Sequence, residues 1–495
     1  MMKYWYALIL SIFMLKSMMF ISYPFGGQDD DQQYQRYMVQ QLIEGNPYIG
    51  NLRYNTGYAF FIAPIETVAS NFERLSDRLV LLFHLLVSSI VPLLVFDILH
   101  HYINRQRAFW IAFFVNLYPF GLQWAHFQLP VWLISVYLII AIWLIHRAMQ
   151  SNHKIRWFVL AGILLGFATI ARLNVATMVG SIGLAVILYS NLTWRKRLVG
   201  FFLIGLWSVG VLVGYIILIH YPSTKTMTIS CISGTNLLIG ANEKSIPLRA
   251  SNGEVSQRYA QLLTLPADFE ATFYSDSYAL WRIPGSWLSS AESTAFLSQS
   301  VGAYDEILSI SFPGKLIYVL GPCETDKLLR NVYWEAVRLH PERFVLGFAE
   351  TFIRVLVQAP YTDLADNQYL PKPEEINVAN HEPLGFVRTQ NGFYNGQIIW
   401  LPGVYIYSAL ETTLRWTVFV IPFAALWALF FQKLWFYRTV ALILVVGAAT
   451  ISLIAIIQPR IYASMWVLYA ILIAGFIDSL LQAIKKRFSH RDIAS

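Results

Sequence analysis

Residues 26–64, GGQDDDQQYQRYMVQQLIEGNPYIGNLRYNTGYAFFIAP, decide how this chain is read. They sit between the first and second long apolar runs. Three acids, Asp29, Asp30 and Asp31, stand together a few residues past the first run. A helical pattern begins there: Tyr34, Met38 and Leu42 recur at i, i+4 and i+8, with Val39 and Ile43 beside them. Gln32, Gln33, Arg36, Gln40 and Glu44 fill the opposite face, and Gly45, Asn46 and Pro47 stop the helix. Such an amphipathic helix lies along a membrane surface rather than across it. It would hold an acidic cluster where lipid meets water. One Asp suffices as a helix cap, because its oxygen accepts orphan N–H groups and its charge suits the dipole. Three leave room for a second role.

Composition sets the class. The chain has 495 residues, 56% hydrophobic and 13% charged, where a soluble domain carries ~25% charged residues. Ten apolar runs reach or approach the ~20 residues that cross a ~30 Å hydrocarbon core. They are placed at 4–22, 79–98, 108–126, 130–146, 157–171, 174–190, 198–220, 412–431, 439–457 and 461–480. The expected fold is an all-α polytopic membrane protein: a bundle of about ten transmembrane helices, an amphipathic first external loop and a large external loop. The first run is too long for a signal peptide and lacks a cleavage site, so it reads as a retained span.

Loop charge orients the bundle. Arg105 and Arg107; Arg147, Lys154 and Arg156; Arg195, Lys196 and Arg197; Lys433 and Arg438; and the tail from Lys485 onward all fall on one side. Short turns on the other side are nearly bare. The positive-inside bias then puts both termini in the cytoplasm and segments 24–78 and 221–411 outside it. This agreement requires a split between the fifth and sixth spans at Arg172. The net charge of +7 is explained by these loops, so no nucleic-acid partner is expected. Three parts follow: a membrane module at 1–220 that includes the first external loop, an external segment at 221–411, and closing spans with a basic tail at 412–495.

Within 221–411, ETDKLLRNVYWEAVRLH predicts a helix ended by Pro341, and 344–357 predicts a second that lies flat on the membrane rather than crossing it. Cys231 and Cys323, the two cysteines, both fall in this segment. A disulfide is allowed there if the segment lies outside the cytoplasm. No zinc-ligand spacing involves them. Among ionisable groups in or near spans, Lys16 is expected to snorkel, Asp97 and Asp478 to be solvated at cytoplasmic ends, and His84 to satisfy a neighbour. Arg172 has no acidic neighbour in sequence at its turn, which suggests an anion.

The order of these features resembles the GT-C superfamily of membrane glycosyltransferases. It is most similar to the branch of dolichyl-phosphate-mannose–protein mannosyltransferases that includes the aminoarabinose transferase. DDQQYQRYMVQQLIEG resembles that family's D-E-x-x-Y helix, and RYNTGYAFFIAP its Arg-Pro-Pro-Gly-Tyr-Pro segment. ARLNVA is similar to its Thr-Arg-Pro turn, GTNLLIGANEKS to its Gly-Asn-Asn-Pro loop, and QPRIYASMWVLYAILIAG to its Tyr-Arg-x-x-x-Pro start of a last span. The sequence departs from the pattern at Asn55 and Thr56, where prolines are expected, at the Asp-Asp pair, and after Arg460, which lacks the usual Pro.

The resemblance implies inverting transfer of a sugar from a polyprenyl-phosphate donor to a glycan, lipid or protein acceptor. The reaction would take place on the extracytoplasmic face, in a membrane of the bacterial inner or plasma type. Asp30 takes the place of the catalytic base. Asp31, Tyr34, Arg53, Tyr58, Arg172, Asn242 and Arg460 take the substrate side, with Arg172 near the donor phosphate. No cofactor is expected. Adjacent carboxylates suit a hard divalent ion, but three acids at one helix start cannot all converge, so no metal is assigned. The chemistry is coherent by itself: an acceptor hydroxyl or amine needs a base, and arginine stabilises charge gathering on the leaving phosphate. A polysaccharide polymerase or lipid-linked oligosaccharide ligase is the alternative, and would place its reactive arginines in the large loop. A transporter would carry its charges at mid-membrane.

Overall fold

A computed structural model describes residues 2–23, 30–53, 56–72, 76–151, 154–263, 316–317, 320–357, 378–381, 383–389, 398–454 and 463–491, without the side chains of 30–33, 76, 120, 263, 378–381, 383, 389, 454, 463 and 487–491. The first half comprises α1 (Met2–Ser22), α2 (Asp30–Ile43), α3 (Gly57–Ala69), α4 (Ser76–Ser88), α5 (Ile90–Leu99), α6 (Arg105–Leu117) and α7 (Pro119–Trp124). Then come α8 (Val131–Gln150), α9 (Lys154–Ala171), α10 (Val175–Tyr189) and α11 (Trp194–Tyr215). A π turn (Ile216–His220) carries α11 into α12 (Tyr221–Thr224).

Among the described residues, eight helical stretches are long and apolar enough to cross a membrane. Gly57–Ala69 and Val175–Tyr189 are shorter apolar helices. Each of the ten expected spans falls on a helix. Span three is broken: α6 stops at Leu117 and Pro119 opens α7, because proline has no N–H to continue the ladder. The split between spans five and six is present, with α9 ending at Ala171 and α10 starting at Val175.

Beyond the seventh span lie α13 (Ser233–Glu243), α14 (Glu254–Leu263), α15 (Pro322–Leu339) and α16 (Pro341–Val357). The helix expected before Pro341 is α15. Its buried face, with Leu329, Val332, Tyr333 and Ala336, meets Leu238 and Ala241 of α13 and Tyr259 of α14 in a core separate from that of the bundle. GTNLLIGANEKS, likened above to a loop, is mostly helix: α13 runs through it. Gly234 explains why, since a Cβ there would collide with the Asp326 carbonyl oxygen of α15. Packing against α15 overrides the turn preference of Gly and Asn. Cys231 and Cys323 form a disulfide.

A three-stranded antiparallel sheet adds strands to the all-helical expectation: β1 (Val378–His381), β2 (Phe386–Thr389) and β3 (Ile398–Trp400) in the order β1-β2-β3. Phe386 pairs with Trp400. Val387 and Ile399 pack onto Leu15 and Met19 of the first span. The last spans are α17 (Leu401–Arg415), α18 (Ile421–Leu426), α19 (Trp435–Ile454) and α20 (Trp466–Arg491). Helix α16, 17 residues long, packs along α19, and Tyr469 of α20 donates to its Val355 carbonyl at 3.2 Å.

The basic end of the bundle is tied by ion pairs. Arg107 grips Asp478 with contacts of 2.6–3.0 Å. Arg147 reaches Asp97 at 2.8 Å, and Trp143 Nε1 donates to the same oxygen. The side chains of Asp97 and Asp478 are only 14% and 17% exposed. The expectation that both are simply solvated is therefore corrected: buried carboxylates are kept beside a guanidinium. Lys16 is corrected too. It turns into the bundle, where its Nζ donates to Ser88 Oγ at 3.1 Å.

Candidate active site

Helix α2 is built as its sequence dictates. Met38 and Val39 are buried and join the bundle core, with Tyr34, Leu42 and Ile43 partly buried against it. Gln40 and Glu44 are exposed and hydrogen-bonded to each other. Gln35, predicted by no stripe, is also buried. The helix ends in a Schellman turn: Asn46 N donates to Gln41 O, Gly45 N to Leu42 O, and Gly45 takes φ +84°. Only glycine enters that region at little cost.

Asp30 and Asp31 open α2, so the acids stand at the N-terminal, positive end of its dipole. Their carboxylates lie outside the described atoms, as do Asp29 and Arg460 entirely. Helix α2 rests on α3. The two are linked to the bundle by Arg36, whose Nε donates to Gln128 Oε1 and whose Nη2 lies 3.8 Å from Asp77.

Helix α3 in turn is seated on the Arg172 turn. A Cβ on Gly57 would lie 2.5 Å from Ala171 N and 2.8 Å from the Ile170 carbonyl carbon. Any side chain would lift the helix start off its seat. Arg172 follows at once, half-buried, its N–H donating to Ala168 O and its carbonyl accepting from Val175 N. Thr56 Oγ1 donates to the Tyr215 hydroxyl at 2.9 Å, Gly50 N to Ser223 Oγ, and Cys231 N to Leu52 O. Gly50, Leu52 and Thr56 are thereby held near the end of span seven and the segment after it. Arg53 sits in this strap, half-buried, its N–H donating to Asn51 Oδ1 at 2.8 Å.

Tyr58 is fully buried. Its hydroxyl is 3.1 Å from His84 Nε2, and His84 Nδ1 is 3.0 Å from Ala125 O. A carbonyl only accepts, so Nδ1 carries the proton and the Tyr58 hydroxyl donates to Nε2. This is the neighbour-satisfying role expected of His84. Burial raises the Tyr58 hydroxyl well above its ordinary value, and Glu66 adds to that. It stays a protonated donor.

The structure thus joins Tyr34 on α2, Tyr58 on α3, the strap with Arg53 and the Arg172 turn at one end of the bundle through α3. Asn242 is elsewhere, exposed near the end of α13 in the separate core's helices. Sequence reading passed over Glu66, on α3. Its carboxyl is lifted above the ordinary value, chiefly by burial, with Arg36 pulling it down and Asp77 pushing it up. Its charge in a helix of high apolar content, GYAFFIAPIETVA, was the available signal. Among the described residues, the group with metal-ligating geometry is Asp97, His100 and His101, at the other end.

Residues 59–220 match the family model of the dolichyl-phosphate-mannose-protein mannosyltransferases. No curated protein matches the chain by sequence. Two similar solved structures are ArnT from Cupriavidus metallidurans, without ligand and bound to undecaprenyl phosphate. Each is 12% identical with TM-score 0.31; the first covers 95% of this chain and 76% of its own. A third is the oligosaccharyltransferase AglB from Archaeoglobus fulgidus with an inhibitory peptide and a dolichol-phosphate. It is 10% identical, has TM-score 0.41, and covers 97% of this chain and 52% of its own. This chain spans about half the length of AglB. The family match over 59–220 takes in most of helix α3, the Arg172 turn and spans two to seven, so this part of the chain is similar to the dolichyl-phosphate-mannose-protein mannosyltransferases.

Proposed function

We propose that the protein transfers a sugar from a polyprenyl-phosphate donor to an acceptor at the loop end of the bundle, with inversion at the anomeric carbon. The observation that supports this reading is the seating of α3: Gly57 lies against Ile170 and Ala171, and the acid-bearing α2 packs on α3. In this reading Asp30 takes the acceptor proton, and the acceptor oxygen or nitrogen attacks the anomeric carbon as its bond to the donor phosphate breaks. Arg172 stabilises the charge gathering on the departing polyprenyl phosphate. Asp31 and Tyr34 line the acid side, Arg53 and Arg460 the phosphate side. Tyr58 holds α3 through His84. Asn242 contacts the acceptor from α13. A disulfide between Cys231 and Cys323 suits an oxidising compartment. That supports an extracytoplasmic loop end and, with the basic loops opposite, cytoplasmic termini.

The test is release of polyprenyl phosphate from a labelled polyprenyl-phosphate sugar by purified protein. A positioned base contributes ~10²–10⁴-fold, so Asp30→Asn is expected to lose about that factor while keeping its thermal transition. Full activity in that variant would remove Asp30 from the reaction.

A further inference from the structure

We propose that Asp97, His100 and His101 form a binding site for a divalent cation of the zinc type, at the end of the bundle opposite the candidate active site. The motif is D-I-L-H-H, at the close of α5. One ligand atom from each of the three residues lies within 4.8 Å of the others.

Both rings are already held in the state a metal needs. His100 Nδ1 is 3.2 Å from Phe96 O, and His101 Nδ1 is 2.7 Å from Asp97 O. Each carbonyl accepts a hydrogen bond from Nδ1–H, which leaves Nε2 as the lone-pair nitrogen of each ring. Ligating histidines are oriented in this way by a backbone carbonyl on their other nitrogen. Asp97 is oriented as well. Arg147 Nη2 and Trp143 Nε1 both donate to Oδ2, at 2.8 Å each, so Oδ1 is the oxygen left for a cation. The last carbonyls of α5 add the negative end of a helix dipole.

A further buried histidine borders the group. His146 is fully buried, with its ring centroid 5.3 Å from that of His101. Its Nδ1 meets the Tyr102 hydroxyl at 3.1 Å, while its Nε2 has no hydrogen-bond partner among the described residues. Buried polar atoms are seldom left so. His146 lies outside the group whose ligand atoms fall within 4.8 Å of one another, so it borders the site rather than completing it. Imidazole nitrogens with one carboxylate suit zinc and its neighbours in the transition series, whereas magnesium and calcium take all-oxygen shells. His101 is exposed and gives the ion a way in.

The test uses the full chain in detergent, free of any affinity tag and stripped with chelator, dialysed against zinc and assayed for bound metal. One ion per chain is expected, together with a rise in the thermal transition. In His101→Ala, whose exposed ring leaves the fold intact, bound zinc should fall at least tenfold and the thermal rise should vanish. His100→Ala should do the same, and His220→Ala, at the other end, should keep the ion. Absence of bound zinc in the parent protein, or undiminished zinc in both His100→Ala and His101→Ala, would overturn the site. The readout is independent of sugar transfer, so it stands or falls apart from the proposed function.

Discussion

Two long segments leave the bundle, and they fold on opposite plans. In the first, α2 and α3 have no core of their own: Met38, Val39, Tyr58 and Ile62 belong to the core of the membrane helices. In the second, α13, α14 and α15 close a separate core around Leu238, Tyr259, Leu329 and Tyr333, and a disulfide spans 92 residues of it. The difference teaches where position is inherited and where it is made locally. The acid-bearing helix and the α3 it rests on take their place from span two, the loop before span four and span five, through His84, Gln128 and Ala171. The second segment can loosen while the first holds.

The largest expected effect breaks the comparison on the bundle side. Arg172→Ala should lower the rate of polyprenyl-phosphate release about 10²–10³-fold, the loss of one charge-stabilising group at the reacting centre, with Arg172→Lys losing less. A rate within twofold of the parent would detach the arginine turn from the chemistry. Next in size is the disulfide. Replacing Cys231 and Cys323 by Ser should destabilise the second segment by about 2–4 kcal/mol. Limited proteolysis should then cut within 221–411 while the membrane helices stay protected. Equal loss of protection in both would show that the two plans are one.

The smallest effect sharpens the picture of α3. Glu66 has a raised carboxyl in the folded protein, so the native state holds its proton more tightly than the unfolded chain. Stability from this group is complete below the ordinary carboxyl value of 4.5 and is lost as pH rises through the raised one. Glu66→Gln should therefore melt at a higher temperature than the parent at neutral pH, and the gap should close below pH 4.5. A gap that stays constant with pH would mean that Glu66 does not titrate in that window.

How much of this was legible in the sequence follows from the range of each interaction. The spans were legible because a long apolar run is a local fact, and so was the stop at Gly45, where a left-handed residue closes α2. The break in the third span was also written in the chain, at Pro119, and was passed over because the apolar run continues through it. The partners of Asp478 and Asp97 were not legible, since Arg107 and Arg147 lie 371 and 50 residues away. Nor was the helical state of GTNLLIGANEKS, which depends on Gly234 fitting against α15. Tyr58 and His84 could each be picked out, but not their hydrogen bond. Asp30, proposed above as the base, starts α2.

Gly57 carries a consequence for the order in which the protein is made. Its seat, the backbone of Ile170 and Ala171, is synthesised four spans later than the glycine itself. The first loop therefore leaves the ribosome with part of its seat missing, until the fifth span has been inserted. Chains fold from the N-terminus as they emerge, yet here the earliest loop must be among the last parts to settle. Insertion of the early spans and final seating of the loop end are thereby separate events in the life of one polypeptide.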